Sequence, residues 1–339
     1  MAGQSTRDIK RRIQSVQSTQ QVTKAMEMVS AAKLRRAQGQ VVAARPFANR
    51  IADVLARVVS TTLAARPELA RNHPLLQQKA GGRTLVCAIA ADRGLAGGYN
   101  ANLGRALDAV LRLEEQQGGH VEVVAVGRKV RDWLRRAGRP AFREFLYLGD
   151  EVSFTKAREI ARSLVEPFVA GQFDRVALLF SQFVSSVVHR PVLYPLLPIP
   201  QEGPKPMRVN IQGGGGPVLL ALDGERPGAE ERAAGRSGER AGRHRQVERW
   251  QPPYIYEPSV EDVIGVLLER YLDVEVYRAL IEAKASEHGA RMTAMHNASD
   301  NAEEMIESLT LSFNRARQAG ITREIAEIVG GAEALAAQI

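Results

Sequence analysis

The longest periodic pattern in the chain lies near its C-terminal end. From Val260 to Ala316, mostly apolar or small residues recur at alternating steps of four and three, which places them along one side of a helix for roughly eight heptads. Pro258 precedes the segment, and Ser259 followed by Asp262 has the spacing of an N-terminal cap. The pattern predicts one long helix over 259–339, which the "VGG" at 329–331 is expected to end or bend.

A second stripe runs through the N-terminal segment and predicts another long helix, over 1–60. Its positions are Ile9, Ile13, Val16, Gln20, Thr23, Glu27, Ser30, Leu34, Ala37, Val41, Ala44, Ala48, Ile51, Leu55 and Val58. Pro46 is the first proline of the chain and is expected to kink the helix locally. The middle of the stripe is polar and small, which favours close packing against one specific helix over a homodimeric zipper.

Between the two helical segments the hydrophobic period changes to that of an α/β domain. Strand-like runs occupy 83–90, 120–127, 144–149, 174–183 and 184–198, and helical runs occupy 100–117, 128–138 and 153–171. Alternating strands and helices are typical of a mostly parallel sheet. We therefore expect a Rossmann-like domain over 80–200, in which the last two strands, with no helix between them, pair in antiparallel fashion.

The two ends of the chain carry opposite charge. Residues 1–50 hold ten Lys or Arg against two acids, a net of +8, whereas residues 259–339 hold seven Lys or Arg against fourteen acids, a net of −7. One long helix enters the central domain and the other leaves it, so the two helices, if they lie side by side, run in opposite directions. The predicted fold is α/β plus coiled coil: a long antiparallel two-helix coiled coil on a central α/β domain, with a protruding C-terminal tip.

Residues 201–253 have a different composition, rich in Gly, Arg, Glu and Pro, and are expected to form an extended, disordered loop. Its residues 221–250 hold seven Arg against six acids. This near balance of charge argues against a nucleic-acid-binding tail, since such tails carry excess positive charge.

The overall composition is that of an ordinary globular protein, with 45% hydrophobic and 25% charged residues and a net charge of +8. No apolar run approaches the roughly 20 residues that cross a bilayer, so no direct membrane insertion is expected. The first residues are polar and basic, without the apolar core of a secretory signal. The single cysteine, Cys87, lies in an apolar run and fits a reducing, cytosolic compartment.

A glycine-rich stretch, "ADRGLAGGYN" at 91–100, follows the first strand and raises the question of a nucleotide site. The spacing of Gly94, Gly97 and Gly98 is not that of the dinucleotide fingerprint, and no Lys follows these glycines as a phosphate-binding loop requires. The six histidines show no metal-binding spacing. We therefore expect no cofactor, no metal and no catalytic residues, and interpret the glycines as allowing a sharp turn and a close approach to another surface.

Three segments resemble one family. Residues 5–38 with "TKAMEMVSAAKLRRAQ", residues 91–100, and residues 277–335 with "NRARQAGITREIAEIVGGAEAL" are similar to the γ subunit of F-type ATP synthases. The resemblance covers nearly the whole chain outside 201–253. It implies a non-catalytic central rotor stalk of a proton-translocating enzyme, standing in a ring of three α and three β subunits, with its base on the ε subunit and the membrane c-ring. It also implies a peripheral location on the cytoplasmic face of the bacterial plasma membrane.

The resemblance also implies contact residues. Those toward the α and β subunits are Lys24, Met26, Lys33, Arg35, Arg36, Gly94, Gly97, Gly98, Arg317, Gln318, Thr322 and Glu324. Those of the foot near the c-ring and ε are Tyr254, Tyr256 and Glu257. Lys33, Arg35 and Arg36, here named the basic cluster, are expected to meet an acidic lever loop on β.

Two other functions remain open from the residues alone. One is a coiled-coil adaptor or binding module without a rotary role, and the other is a dinucleotide-dependent enzyme. The segment 201–253 is longer than in the usual bacterial γ subunit and is either a brake on rotation or a tolerated solvent loop. It contains no cysteine, which excludes the thiol switch of chloroplast-type γ subunits.

Overall fold

The computed structural model describes residues 6–65, 73–79, 81–199, 207–210, 218–221, 257 and 259–336. The helices within these ranges are α1 (Thr6–Ala65), α2 (Tyr99–Gln116), α3 (Arg128–Arg136), α4 (Phe154–Val169) and α5 (Val260–Ala336). The strands are β1 (Arg83–Ile89), β2 (His120–Val126), β3 (Arg143–Phe145), β4 (Arg175–Phe183), β5 (His189–Leu197), β6 (Met207–Asn210) and β7 (Val218–Ala221).

The two long helices pack against each other in opposite directions. Thr23 of α1 shares a 2.7 Å hydrogen bond with Ser299 of α5, and Glu27, one turn further along α1, meets His296, one turn earlier on α5. Every position of the α1 stripe is buried or half-buried, as the spacing predicts. The amino end of α5 is capped as expected, because the Ser259 hydroxyl accepts the backbone N–H of Asp262 at 3.1 Å.

Among the described residues, the sheet has seven strands in the order β3-β2-β1-β4-β5-β6-β7. Strands β1 to β4 run parallel to one another, and β4 and β5 form the expected antiparallel pair. One face of the sheet packs against α2 and α3, and the opposite face packs against α4 together with the long helices α1 and α5. The domain is therefore a three-layer α/β structure, built directly onto the helical pair.

The ends of some helices and strands differ from those expected from the sequence. β3 stops at Phe145, because Tyr147 and Gly149 adopt positive φ values of 58° and 81°, outside the extended region. α1 continues through Pro46, as the predicted stripe does, whereas α5 does not end at the glycines at 330 and 331 and continues as far as Ala336. A glycine inside a helix costs only about 1 kcal/mol, too little to end a helix this long.

The expected loop over 201–253 is wrong at eight positions, which form β6 and β7. β6 pairs with the free edge of β5, with Leu193 opposite Met207 and Val192 opposite Arg208, and β7 pairs with β6. A four-residue strand gains ladder hydrogen bonds wherever an edge is available, which local composition cannot indicate. The other residues of 201–253 lie outside the described residues.

Candidate functional site

The glycine loop, residues 91–100, joins β1 to α2 and lies against α5. Gly97 has φ of +52°, a conformation that L side chains rarely adopt. A Cβ added there would lie 3.4 Å from the Cβ of Ala294 on α5. The glycines thus serve a sharp turn and a close approach, and the surface that Gly97 approaches belongs to the same chain.

Two side chains fasten this loop to α5. The buried guanidinium of Arg291 donates to the carbonyl oxygen of Gly94 at 3.3 and 3.4 Å and to Glu287 at 2.8 Å. The hydroxyl of buried Tyr99 donates to the carbonyl oxygen of Ala283 at 3.1 Å. Burial acts to raise the pKa of Glu287, but the cations of Lys284 and Arg291 outweigh it and hold that pKa below its ordinary value. The loop is therefore attached to α5 at two points.

Asp92, at the start of the same loop, binds the backbone of two other connections of the α/β domain. Its Oδ1 accepts the backbone N–H of Arg128 at 3.0 Å and that of Tyr147 at 3.2 Å. Tyr147 projects outward with 65% of its surface exposed, and the Arg128 guanidinium carbon lies 5.7 Å from its ring centroid. Leu95 in the loop also has positive φ and is 63% exposed. Large side chains held outward in a strained backbone are typical of contact surfaces.

Two of the three residues of the basic cluster on α1 are already paired within the chain. Lys33 donates to Asp150 at 2.8 Å, and Arg36 lies 3.9 Å from Glu151, while Arg35 is exposed. The hydrogen bond from Lys33 lowers the pKa of Asp150. Asp150 and Glu151, here named the acidic bend, lie between β3 and α4. Tyr147, in the same connection, binds Asp92 of the glycine loop, so this connection contacts both the basic cluster and the glycine loop.

Sequence reasoning missed Asp92, Tyr147, Arg291 and the acidic bend. The adjacent acids in "LGDEV" after a strand were the one local signal for the bend. Nothing in the sequence indicated that they would lie beside α1.

Two expected contact residues of α1 lie near the helix-helix seam. Lys24 is 3.1 Å from Glu27 of its own helix, and Met26 is half-buried, with its carbonyl accepting the Ser30 hydroxyl at 2.7 Å. Glu27 in turn meets His296 of α5 at 3.3 Å. This part of α1 therefore contributes to the pairing of the helices and also presents one cation to solvent.

The expected tip residues lie far from this region. Arg317, Gln318, Thr322 and Glu324 are all exposed, and the Thr322 hydroxyl donates to the Gln318 carbonyl at 3.0 Å. Gln318 is 27 positions beyond Arg291 on α5, about 40 Å along the axis. Glu257 of the expected foot is exposed, whereas Tyr254 and Tyr256 lie outside the described residues. The contact residues thus fall into separate regions rather than one site.

A cavity of about 300 Å³ lies beside the glycine loop, between Gly98, His189 of β5 and Thr293 of α5. No Lys, Arg, Asp or Glu from the described part of the chain lines it. Burial lowers the pKa of His189, so its imidazole is neutral near pH 7. A nucleotide phosphate placed there would meet no charged partner, and the cavity therefore does not have the chemistry of a phosphate site.

In the described part of the chain, no group of His, Cys, Asp and Glu has the arrangement of a metal site. No helix among the described residues is long and apolar enough to cross a membrane.

Comparison with known proteins identifies the family. A family model described as ATP synthase matches residues 5–335. The ATP synthase gamma chain of Heliobacterium modesticaldum is 45% identical over 329 residues, which cover 97% of this chain and 98% of that protein. The chain belongs to the ATP synthase gamma chain family. The gamma chain of Moorella thermoacetica is 46% identical, again over 97% of this chain and 98% of its own length.

Solved structures share the γ-chain fold. A chain of the Euglena gracilis mitochondrial ATP synthase, OSCP/F1/c-ring, rotational state 3, aligns with a TM-score of 0.58 and 17% identity over 97% of this chain and 94% of that one. A chain of the central stalk/c-ring structure from Tetrahymena thermophila aligns with a TM-score of 0.51 and 22% identity over 82% of this chain and 99% of that one. At such identities the likeness shows the fold alone.

Proposed function

We propose that this γ-family chain is the central rotor stalk of the F1 part of a proton-translocating ATP synthase. It is a non-catalytic subunit, since ATP chemistry in this family resides on the β subunits. Its function is mechanical: rotation of the membrane c-ring turns the helical pair, and the asymmetric pair drives the β subunits through their nucleotide states.

The observation that carries this proposal is the uncovered end of α5. Thr23 lies opposite Ser299 in the antiparallel pair, so Thr6, the first described residue of α1, lies opposite about residue 316. Residues 321–330 beyond that point are exposed at every position. They include Ile321, Ile325, Ile328 and Val329, with exposed fractions of 49–72%. An apolar helix end standing free of its own domain requires a surrounding sleeve.

The proposed partners follow from this geometry and from the family. The tip of α5 stands in the bore of three α and three β subunits, the α/β domain lies below that ring, and the foot around Glu257 meets ε and the c-ring. The assembly lies at the cytoplasmic face of the bacterial plasma membrane, where this chain is peripheral. We further propose that α1 and α5 form a true antiparallel coiled coil, supported by the buried positions repeating every three or four residues.

The contact residues are proposed by region. The tip set, Arg317, Gln318, Thr322 and Glu324, is supported by complete exposure on a helix that must be enclosed. Lys24, Met26 and the basic cluster contact β from α1. The glycine loop contributes its exposed side, near Leu95, because Gly94 and Gly97 are already engaged with α5.

The organisation proposed for the chain is an N-terminal shaft helix over 1–60, an α/β domain over 80–200, a variable segment over 201–253 and a C-terminal shaft helix over 259–339. Deleting 222–249, which leaves β6 and β7 intact, tests whether the variable segment regulates rotation. A changed rate of ATP hydrolysis by the assembled complex supports a brake, and an unchanged rate supports an inert insertion.

Native mass spectrometry of this chain mixed with the α and β subunits tests the proposal directly. The expected product contains three α, three β and one copy of this chain. A folded chain that forms no complex would instead support an adaptor, with family membership reflecting ancestry only. A variant truncated after Ala316 is the matched control, since it keeps the paired helices and loses only the unpaired tip.

A further inference from the structure

The contact between Lys33 and Asp150 has a consequence for how the basic cluster meets a partner. The ammonium of Lys33 and the carboxylate of Asp150 are 2.8 Å apart, although 117 residues separate them in sequence. One turn further along α1, Arg36 faces Glu151. The basic cluster therefore already receives two adjacent carboxylates, presented on an irregular bend.

This arrangement reveals which ligand chemistry the basic cluster accepts. Lys33 and Arg36 are three residues apart, and so lie on the same face of α1. That face can pair with two consecutive acidic residues on a non-helical segment, because it already pairs with Asp150 and Glu151 in this way. An acidic segment of another subunit would present carboxylates to the same two cations. Such a segment would compete with the acidic bend, because each cation cannot pair fully with a carboxylate from both.

The two ion pairs are exposed enough to solvent to be replaced by other ion pairs. The Lys33 and Asp150 side chains are 31% and 48% exposed, and those of Arg36 and Glu151 are both 75% exposed. Ion pairs at this exposure are weak, since water screens them and both side chains lose entropy. The buried pair of Arg291 with Glu287 offers no such freedom, because both side chains are almost fully enclosed. The acidic bend thus holds the basic cluster loosely enough to be displaced.

We propose that the acidic bend is an internal competitor for the basic cluster. In the free chain, Asp150 and Glu151 pair with Lys33 and Arg36. In the assembled complex, carboxylates of an acidic partner segment replace them, and the bend is released into solvent. This inference rests on the proposed function, since it requires a subunit ring that brings acids to α1. Exchange between two weak pairs keeps the cations charge-compensated during rotation and prevents tight adhesion at any one angle.

Zero-length crosslinking tests the exchange. A water-soluble carbodiimide joins an ammonium and a carboxylate in direct contact as an amide, with loss of water. In the free chain we expect a Lys33–Asp150 crosslink, identified by peptide mass spectrometry. In the complex with α and β we expect that crosslink to fall severalfold and Lys33 to join a carboxylate of a partner subunit. An undiminished Lys33–Asp150 crosslink in the intact complex overturns the exchange and leaves the rotor function standing.

Neutralising the bend provides a second test. The variant Asp150→Asn with Glu151→Gln should bind the α and β ring about two- to fivefold more tightly, because the competitor is lost. The control, Glu122→Gln with Glu159→Gln, removes the same charge elsewhere on the domain and should change affinity less. In a background of Lys33→Gln with Arg36→Gln, neutralising the bend should have no effect. Equal affinities for the bend variant and the control contradict the proposal. Failure of every variant, and of the unaltered chain, to form a complex contradicts the rotor function itself.

Discussion

Arg291 of α5 holds the backbone of Gly94, 197 residues earlier in the chain, through two guanidinium hydrogen bonds of 3.3 and 3.4 Å. The same guanidinium pairs with Glu287 one turn below it. These buried groups are one of the contacts that join the α/β domain to the shaft helix. In a rotor, torque applied to one part must reach the other without slippage, and this contact lies on that route.

Replacing Arg291 by Gln should therefore destabilise the chain. It removes the charge-assisted bonds to Gly94 and leaves Glu287 with Lys284 as its remaining cation. We expect the free energy of unfolding, measured by urea denaturation, to fall by about 2–4 kcal/mol. Arg315→Gln, at an exposed position of the same helix, is the control and should change it by less than about 0.5 kcal/mol. Equal effects of the two substitutions would show that the Gly94 contact contributes nothing.

Gly127, at the turn between β2 and α3, should not tolerate a side chain. Its φ is +92°, and an added Cβ would overlap the carbonyl oxygen of Ala90, the residue that follows β1. We expect Gly127→Ala to lower the free energy of unfolding by more than about 3 kcal/mol. Gly39→Ala, in an open position within α1, should raise it by roughly 0.5–1 kcal/mol. Thermal unfolding followed by circular dichroism distinguishes the two signs.

His288 should make stability depend on pH. Burial lowers its pKa to about 4, while Glu287 and Asp150 act to raise it and Arg291 and Lys284 to lower it further. Below its ordinary value of 6.5 the unfolded chain binds a proton that the folded chain excludes. The free energy of unfolding is therefore unaffected by protonation of His288 above pH 6.5. It falls by about 1–3 kcal/mol as the pH drops from 6.5 toward 4.

The measurement for His288 is the difference between two pH profiles. His288→Gln should lose less stability than the unaltered chain between pH 6.5 and 4, whatever its stability at pH 7. Parallel profiles for the two chains would contradict a lowered pKa at His288.

Substitutions at the tip of α5 should affect assembly and activity without changing the stability of the free chain. Gln318 is exposed, and its side chain forms no hydrogen bond or ion pair within the described residues, so Gln318→Ala should change the free energy of unfolding of the free chain by less than about 0.5 kcal/mol. In the assembled complex the same substitution should weaken assembly or ATP hydrolysis, because we propose that the tip is enclosed there. Glu303→Gln, on the exposed face of the paired region, serves as the comparison. Unchanged assembly and turnover for Gln318→Ala would remove the contact role.

The sequence by itself determined the long helices and the alternation of strands and helices that makes the first part of the sheet parallel. Heptad spacing marks a helix face because side chains repeat every 3.6 residues, and every position predicted along α1 is buried or half-buried. The glycine loop was recognisable by its place between a strand and a helix.

Tertiary structure alone decided which groups meet. Lys33 with Asp150, and Arg291 with Gly94, are pairs separated by 117 and 197 residues, and their approach depends on how whole elements pack. Short strands such as β6 likewise form only where a neighbouring edge is free. Local periodicity encodes which face of an element is apolar, but it carries no information about which charged group lies opposite once that face is buried.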